Sequence, residues 1–251
     1  MISLRTFCPE EYPISLYVNG EELATYQLTN NDLIDWTYGH LFTEGIIDQA
    51  EDVVEISLLE GKIYVQLGGD VEVTPMLKRK KYITAGCGNG VTFFSMTDVK
   101  KLPKIQKSNR QMPLTYLLKK RHEFAKASPM YNATGGMHGA CIVEENGEIT
   151  VREDIGRHNA VDKIIGAALQ RKLDPKTLIL LTTGRISYEM LAKTARFGFE
   201  IVGSRTAATK QAVQLAKFLG IEVVGYIRGK VAVVYTNNGN VINDLKAISK
   251  V

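Results

Sequence analysis

The residues best suited to covalent chemistry lie in Lys78-Arg79-Lys80-Lys81-Tyr82-Ile83-Thr84-Ala85-Gly86-Cys87-Gly88-Asn89-Gly90. The thiolate is the nucleophilic form of cysteine, and nearby cations favour it. Four basic residues lead into Cys87, and glycines at 86, 88 and 90 leave it unhindered. The competing reading is a small loop residue with no role, although structural cysteines usually sit in apolar surroundings. Cys8, near the terminus, and Cys141, on a strand beside Ile142-Val143, read as incidental. Three widely spaced cysteines give neither a disulfide framework nor zinc-ligand spacing, and the default is a reducing cytoplasm.

A second kind of chemistry, anion binding, is suggested by two strand-to-helix joints. The strand LILLTT runs into Thr182-Thr183-Gly184-Arg185-Ile186-Ser187, and the strand EIVG into Ser204-Arg205-Thr206-Ala207-Ala208-Thr209. Each places hydroxyls and an arginine at an expected helix N-terminus, where free N–H groups and the helix dipole favour an anion. Arginine adds a donor fork that suits phosphate. Simple capping by Ser187, Ser204 and Thr206 is the alternative. Two such joints in one sheet bring their binding edges to the same end, which favours a phosphate-bearing ligand.

Two further segments carry polar groups in unusual density. Tyr131-Asn132-Ala133-Thr134-Gly135-Gly136-Met137-His138-Gly139-Ala140 pairs glycines that allow close backbone approach, Gly136 among them, with His138 as a polar contact or proton shuttle. Arg152-Glu153-Asp154-Ile155-Gly156-Arg157-His158-Asn159 alternates charges between a strand and a helix. An ion-pair network with Asn159 as N-cap accounts for it structurally, while the clustering of Asp154, Arg157 and His158 exceeds what a plain turn needs.

The elements that must position these groups follow from periodicity and turn signals. Residues 14–28 read as a hairpin about Asn19-Gly20, and 52–58 with 62–67 as a second about Glu60-Gly61. Between them, 31–42 has helical spacing, with Asn30 or Asn31 as cap and Gly45 as stop. Residues 70–110 are a basic connector with a short helix expected over Ser95–Leu102, and a further helix is expected over Leu114–Ala127. From Asn132 onward two strands about Asn146-Gly147, a helix over Asn159–Arg171 and alternating strands and helices predict an α/β layered core with a mainly parallel centre. Three parts result: an α+β part over 1–75, a basic connector with the Cys87 loop and a helix over 76–126, and an α/β domain over 127–251.

Charge is distributed unevenly. The chain of 251 residues has a formal net charge of +4, yet Met76 to Lys126 holds 13 Lys+Arg against 2 acidic residues. A solvated basic connector or attraction of an anionic partner both fit that excess. No apolar run approaches the ~20 residues that span a bilayer, and the first residues lack the pattern of a secretory signal. The expectation is a cytoplasmic protein with no membrane partner.

The run TEGII, the glycine-flanked Cys87, TGGMHGA, EDIGRHNAVDK, TTGRISYEM, SRTAAT and GYIRG occur in an order that resembles the formate dehydrogenase accessory sulfurtransferases, the FdhD family, over nearly the whole chain. The resemblance implies a cytidine-deaminase-like α/β fold with a smaller N-terminal α+β part, and a homodimer. It implies a sulfurtransferase that takes sulfur from a cysteine desulfurase as a persulfide on Cys87. The sulfur would pass to the molybdenum (or tungsten) of the bis-pterin guanine dinucleotide cofactor needed by formate dehydrogenase. By the same match, Tyr226, Ile227, Arg228, Gly229, Lys230 and Val231 correspond to the family's cofactor-binding stretch. The joints at Thr183-Gly184-Arg185 and Ser204-Arg205-Thr206 would suit its pyrophosphates or guanosine.

One position departs from the family pattern. Cys-x-x-Cys is common in this loop, whereas here the fourth residue is Gly90. A second thiol could release sulfide by forming a disulfide; this loop cannot. The alternative function is therefore a chaperone that binds the cofactor without transferring sulfur. A zinc deaminase is not expected, because His138 is followed by Gly139-Ala140 and no Pro-Cys-x-x-Cys exists. Nucleic acid is not expected either, since the basic segment lacks an aromatic stacking set.

Overall fold

A computed structural model describes residues 7–69, 82–83, 91–92, 102–105 and 111–244. The chain forms two compact units, each drawn from three segments. The first takes residues 1–101, 129–140 and 152–173; the second takes 102–128, 141–151 and 174–251. The linear cuts expected at 76 and 127 do not coincide with these boundaries. Residues 129–140 and 152–173 leave the C-terminal part of the sequence to complete the first unit.

The first unit begins with hairpin β1 (Tyr12–Val18) and β2 (Glu21–Leu28), then helix α1 (Leu33–Thr43), then hairpin β3 (Val53–Leu59) and β4 (Lys62–Leu67). Both turns use consecutive left-handed residues, Asn19 and Gly20 at φ 49° and 84°, Glu60 and Gly61 at 41° and 77°. That geometry matches strand twist and explains why both hairpins were legible. The two hairpins join through parallel pairing of β1 with β4, giving the order β2-β1-β4-β3. Alternation is clean in β4, where Ile63, Val65 and Leu67 are buried and the residues between are exposed. The cap expected at Asn30 or Asn31 falls instead at Asp32, whose backbone is left-handed and whose side chain makes no capping bond.

The strand pair β5 (Tyr82–Ile83) and β6 (Val91–Thr92) is antiparallel. β7 (Met112–Pro113) leads directly into α2 (Leu114–Lys126) and α3 (Pro129–Thr134). β8 (His138–Val143) and β9 (Ile149–Asp154) follow, then α4 (Arg157–Gln170), β10 (Ile179–Thr182), α5 (Tyr188–Phe197), β11 (Ile201–Ser204), α6 (Lys210–Leu219), β12 (Glu222–Arg228), β13 (Val231–Val234) and β14 (Val241–Ile242). The larger sheet has the order β13-β12-β11-β10-β8-β9. Its centre, β10-β11-β12, is parallel as expected, and β13 returns antiparallel. β14 adds a short parallel pair with β7.

Helix α2 seats its apolar stripe, Leu114, Leu117 and Phe124, in a cluster with Met112, Cys141, Val143, Ile179, Leu181, Ile201, Val224 and Ile227. Each such side chain contributes about 1.5–3 kcal/mol by leaving water. Gly203 keeps the parallel strands tight, since a Cβ there would lie 2.6 Å from Leu181 and 2.8 Å from Ile227. No helix among the described residues is long and apolar enough to cross a membrane.

Candidate functional site

The carboxyl ends of β10, β11 and β12 are tied into one edge of the second unit. Arg205 N–H donates to Thr182 O at 3.0 Å, and Ile186 and Ala208 form a short parallel bridge beyond the strands. Tyr226 N–H donates to Thr206 O at 3.0 Å. The sequence offered Ser204 and Thr206 as ligand donors or as helix caps, and the structure places the cap elsewhere. The cap of α6 is Thr209, accepting from Ala212 N–H, while Ser187 caps α5 by accepting from Met190 N–H. Ser204 is fully buried; its hydroxyl donates to Gly184 O at 2.6 Å and lies 3.1 Å from Thr206 Oγ1. Thr206 Oγ1 reaches Thr183 O at 3.5 Å. These hydroxyls hold the joints together, because loop carbonyls buried at a strand end require donors.

What the edge presents outward is cationic. Arg185, Arg228 and Lys230 are exposed, and Arg205 is half-buried. Arg228 is held in place, with Nε donating to Arg205 O at 2.8 Å and its guanidinium 5.6 Å from the Tyr226 ring. Tyr226 itself is left-handed, at φ 50°, where a bulge interrupts the β12–β13 register. Gly225 makes this possible, since a Cβ there would lie 2.8 Å from Thr206 O and 2.5 Å from the Tyr235 ring. A non-glycine residue held left-handed is uncommon, and such outliers cluster at functional sites. Ile227 is buried in the core, so within Tyr226–Val231 it anchors while Tyr226, Arg228, Gly229, Lys230 and Val231 face out. The edge offers guanidinium and ammonium donors to a multiply charged anion.

The remaining predicted residues, Gly136, His138, Asp154, Arg157 and His158, lie in the first unit. Asp154 is fully buried and pairs with the equally buried Lys163 at 2.8 Å. Its carboxylate also accepts from Thr29 N–H, Gly156 N–H and Asn159 Nδ2. Lys163 donates further to Thr29 O, Asn31 Oδ1 and Glu153 O. Burial lowers the Lys163 pKa, against the opposing pull of Asp154. Glu153 accepts from Met130 and Tyr131 N–H, fixing the start of α3, and Arg152 pairs with Asp35 at 2.6 Å. The ion-pair network expected here is present. The cap is not Asn159, however, because α4 begins earlier, with Gly156 at the N-cap, and the Asn159 amide bonds Asp154 and Gln27 O.

Arg157 is buried, and His138 and His158 are half-buried. Burial, reinforced by the Arg157 charge and opposed by Asp154, lowers the His138 pKa, which favours a neutral imidazole. Gly136 is exposed in its loop, with the Pro9 ring so close that a Cβ would meet it at 2.9 Å. Sequence reasoning missed a second buried chain in this unit. Tyr26 Oη lies 2.9 Å from His40 Nε2, His40 Nδ1 lies 3.2 Å from Asp162 Oδ2, and Thr43 donates to Asp162 Oδ1 at 2.9 Å. Gly39 and Gly166 allow it, since α1 and α4 meet backbone to backbone: a Cβ at Gly39 would fall 1.7 Å from Asp162 O. TEGII and NAVDK contain Thr43 and Asp162, but nothing local reveals that they meet.

Cys87 and the basic run Lys78–Lys81 lie outside the described residues; the segment carrying Cys87 joins β5 to β6. Cys141 is fully buried and burial pushes its thiol up to about 12, so it is an inert core residue. Cys8 is exposed.

Known proteins agree with this architecture. The model of the FdhD/NarQ family matches residues 9–242. The sulfur carrier protein FdhD of Listeria monocytogenes serovar 1/2a is 34% identical over 229 residues, covering 90% of this chain and 88% of that one. The sulfur carrier protein FdhD of Wolinella succinogenes is 34% identical over 243 residues, covering 96% and 84%. A crystal structure from Desulfotalea psychrophila, described as a formate dehydrogenase accessory protein, superposes with a TM-score of 0.72 at 26% identity and covers 93% of this chain and 89% of its own. With a match that runs through both units and nearly end to end, the chain belongs to the FdhD/NarQ family.

Proposed function

We propose that this protein is a sulfur carrier for formate dehydrogenase maturation. It takes sulfur from a cysteine desulfurase as a Cys87 persulfide and delivers it to the molybdenum (or tungsten) of the bis-pterin guanine dinucleotide, which is its substrate. The observation that carries the reading is the cationic edge formed by Arg185, Arg205, Arg228 and Lys230 on three joined loops of the second unit, in a chain whose relatives are named sulfur carriers. Those side chains suit the pyrophosphates of a dinucleotide, and Tyr226 offers a ring to a flat heterocycle. A homodimer in the cytoplasm is part of the same proposal.

The chemistry assigned to Cys87 balances as follows. Its thiolate attacks the outer sulfur of the donor persulfide, forming an S–S bond as the donor cysteine leaves as thiolate. Release of that sulfur as sulfide takes two electrons. With Gly90 in place of a second cysteine and Cys141 buried, the loop has no partner thiol to supply them. Two external thiols supply them: the first takes the outer sulfur as its own persulfide and frees Cys87 as thiolate, and the second releases that sulfur as sulfide while the two thiols end joined as a disulfide.

A second reading, a chaperone that binds the cofactor without moving sulfur, is favoured by that same Gly90. Intact-protein mass spectrometry after incubation with a cysteine desulfurase and cysteine separates the two. A gain of one sulfur, about 32 Da, reversed by reductant and absent from Cys87→Ser, is expected of the carrier. No gain at Cys87 with a competent donor assigns the protein to the chaperone class.

A further inference from the structure

The cationic edge rests on an irregularity of β12. Val224 and Ile227 are both buried in the cluster under α2, although they are three residues apart. In a regular strand an odd separation sends two side chains to opposite faces. The bulge removes that conflict. Gly225 stands opposite Val233 and Arg228 opposite Val231, so Tyr226 and Ile227 lie where β13 has only Ala232. Tyr226 takes up the extra residue at φ 50°. Ile227 thereby enters the core, and Tyr226 and Arg228 remain outward together.

A residue outside the edge packs directly on this bulge. Tyr235 follows β13, and its N–H donates to Val223 O at 2.8 Å. It stands two residues beyond Val233, so its side chain shares the face of Gly225 and reaches it diagonally. A Cβ at Gly225 would lie 2.5 Å from Tyr235 Cε2, so the half-buried ring is seated on the glycine itself. An aromatic ring laid over a glycine of the neighbouring strand is one of the devices that pin sheet register. The carbonyl of Thr206 closes the same space, 2.8 Å from that Cβ position, and accepts from Tyr226 N–H.

We propose that Tyr235 is a positioning residue for the anion-binding edge: its ring on Gly225 fixes the Tyr226 bulge, and through it the Tyr226 ring and the Arg228 guanidinium. The role in binding rests on the reading of this edge as the cofactor site. A left-handed residue other than glycine persists only where its surroundings hold it. Without the ring, Gly225 regains its conformational freedom and Tyr226 relaxes toward extended backbone. Arg228 then leaves the Arg205 carbonyl, to which its Nε–H donates at 2.8 Å.

The experiment compares the full-length parent with Tyr235→Leu, which keeps apolar bulk without a flat ring, and Tyr235→Phe, which keeps the ring. The Arg228 Nε–H resonance reports the geometry, guanosine diphosphate titration reports binding, and thermal melts report stability. Tyr235→Leu should shift the Arg228 resonance, speed its exchange with water and weaken the nucleotide about tenfold. Tyr235→Phe should restore all three, because the ring and not the hydroxyl covers Gly225. The proposal is overturned if the Arg228 resonance stays in place in Tyr235→Leu, even with a lowered melting temperature, since Tyr235 then only stabilises the sheet. It is also overturned if Tyr235→Phe moves the resonance as far as leucine does, or if the nucleotide binds Tyr235→Leu as tightly as the parent. A parent that does not bind the nucleotide would overturn the cofactor reading instead, and the Arg228 resonance would still decide whether Tyr235 sets the edge.

Discussion

The buried charges of the first unit and the exposed charges of the second behave oppositely, though both come from motif segments that look alike in sequence. Asp154 and Lys163 spend their charges on each other and on neighbouring groups inside the molecule. Asp154 accepts from three N–H groups besides Lys163, and Lys163 donates to three oxygens besides Asp154. At the ends of β10, β11 and β12 the hydroxyls and carbonyls close on one another and the cations are left outward. Burial with mutual pairing makes Asp154 and Lys163 architectural; Arg185, Arg228 and Lys230 are exposed, where a ligand can reach them. A motif rich in charge is therefore no guide to recognition until its burial is known.

The largest test of this contrast is Lys163→Met. Removing one partner leaves the Asp154 carboxylate buried and uncompensated, and denaturant titration should record a loss of about 3–5 kcal/mol. A loss below about 1 kcal/mol would mean that Asp154 simply protonates or hydrates, and that the network is not architectural. Gly166→Ala comes next. Its Cβ would lie 1.8 Å from Asp35 O, so α1 and α4 must separate. Overpacking of this kind should cost about 3 kcal/mol, and alanine tolerated without loss would show that the close approach is not needed.

The pH dependence of stability sharpens the comparison further. The folded pKa of His138 lies below its ordinary value of 6.5, chiefly through burial. The unfolded chain therefore binds the proton first as acid is added. The contribution of this residue is present above pH 6.5 and is lost as pH falls through the folded value. Paired melts of the parent and His138→Gln across pH 5 to 8 should converge toward the acid end; parallel curves would remove His138 from the account. The smallest stability effect belongs to Arg228→Ala, expected within about 0.5 kcal/mol of the parent because the side chain is exposed. Binding of guanosine diphosphate, taken as a fragment of the proposed substrate, should nevertheless fall about tenfold with the lost charged donors. Unchanged binding would detach the cationic edge from the proposed function.

Much of the fold was legible where local chemistry decides it. Asn19-Gly20 and Glu60-Gly61 announce their hairpins, and the strand–helix alternation after Ile179 gives the parallel centre. The joints at Arg185 and Arg205 were also read from sequence, and Arg228 came from the family resemblance, but the direction of the joint hydroxyls was not legible. Whether Ser204 faces a ligand or Gly184 O depends on how two loops meet. Helix caps failed for a related reason: Asn159 has the right chemistry for a cap, yet Asp154 and the Gln27 carbonyl claim its amide. The Gly39–Gly166 contact and the β1–β4 pairing join segments far apart in the chain, and no periodicity within either segment encodes them.

The threading of the chain between its two units has a consequence for synthesis. His40 leaves the ribosome 122 residues before its partner Asp162. At the usual pace of elongation that interval is roughly 6–24 s. Until α4 emerges, α1 and the first hairpin, joined later by the second, exist without it, and Gly39 and His40 Nδ1 lack the partners that α4 supplies. The first unit to begin is thus unable to finish until more than half of the protein has been made. The nascent chain passes through a stage in which α1 is exposed to chaperones and proteases, and a stall within that interval would leave a fragment that cannot complete this fold.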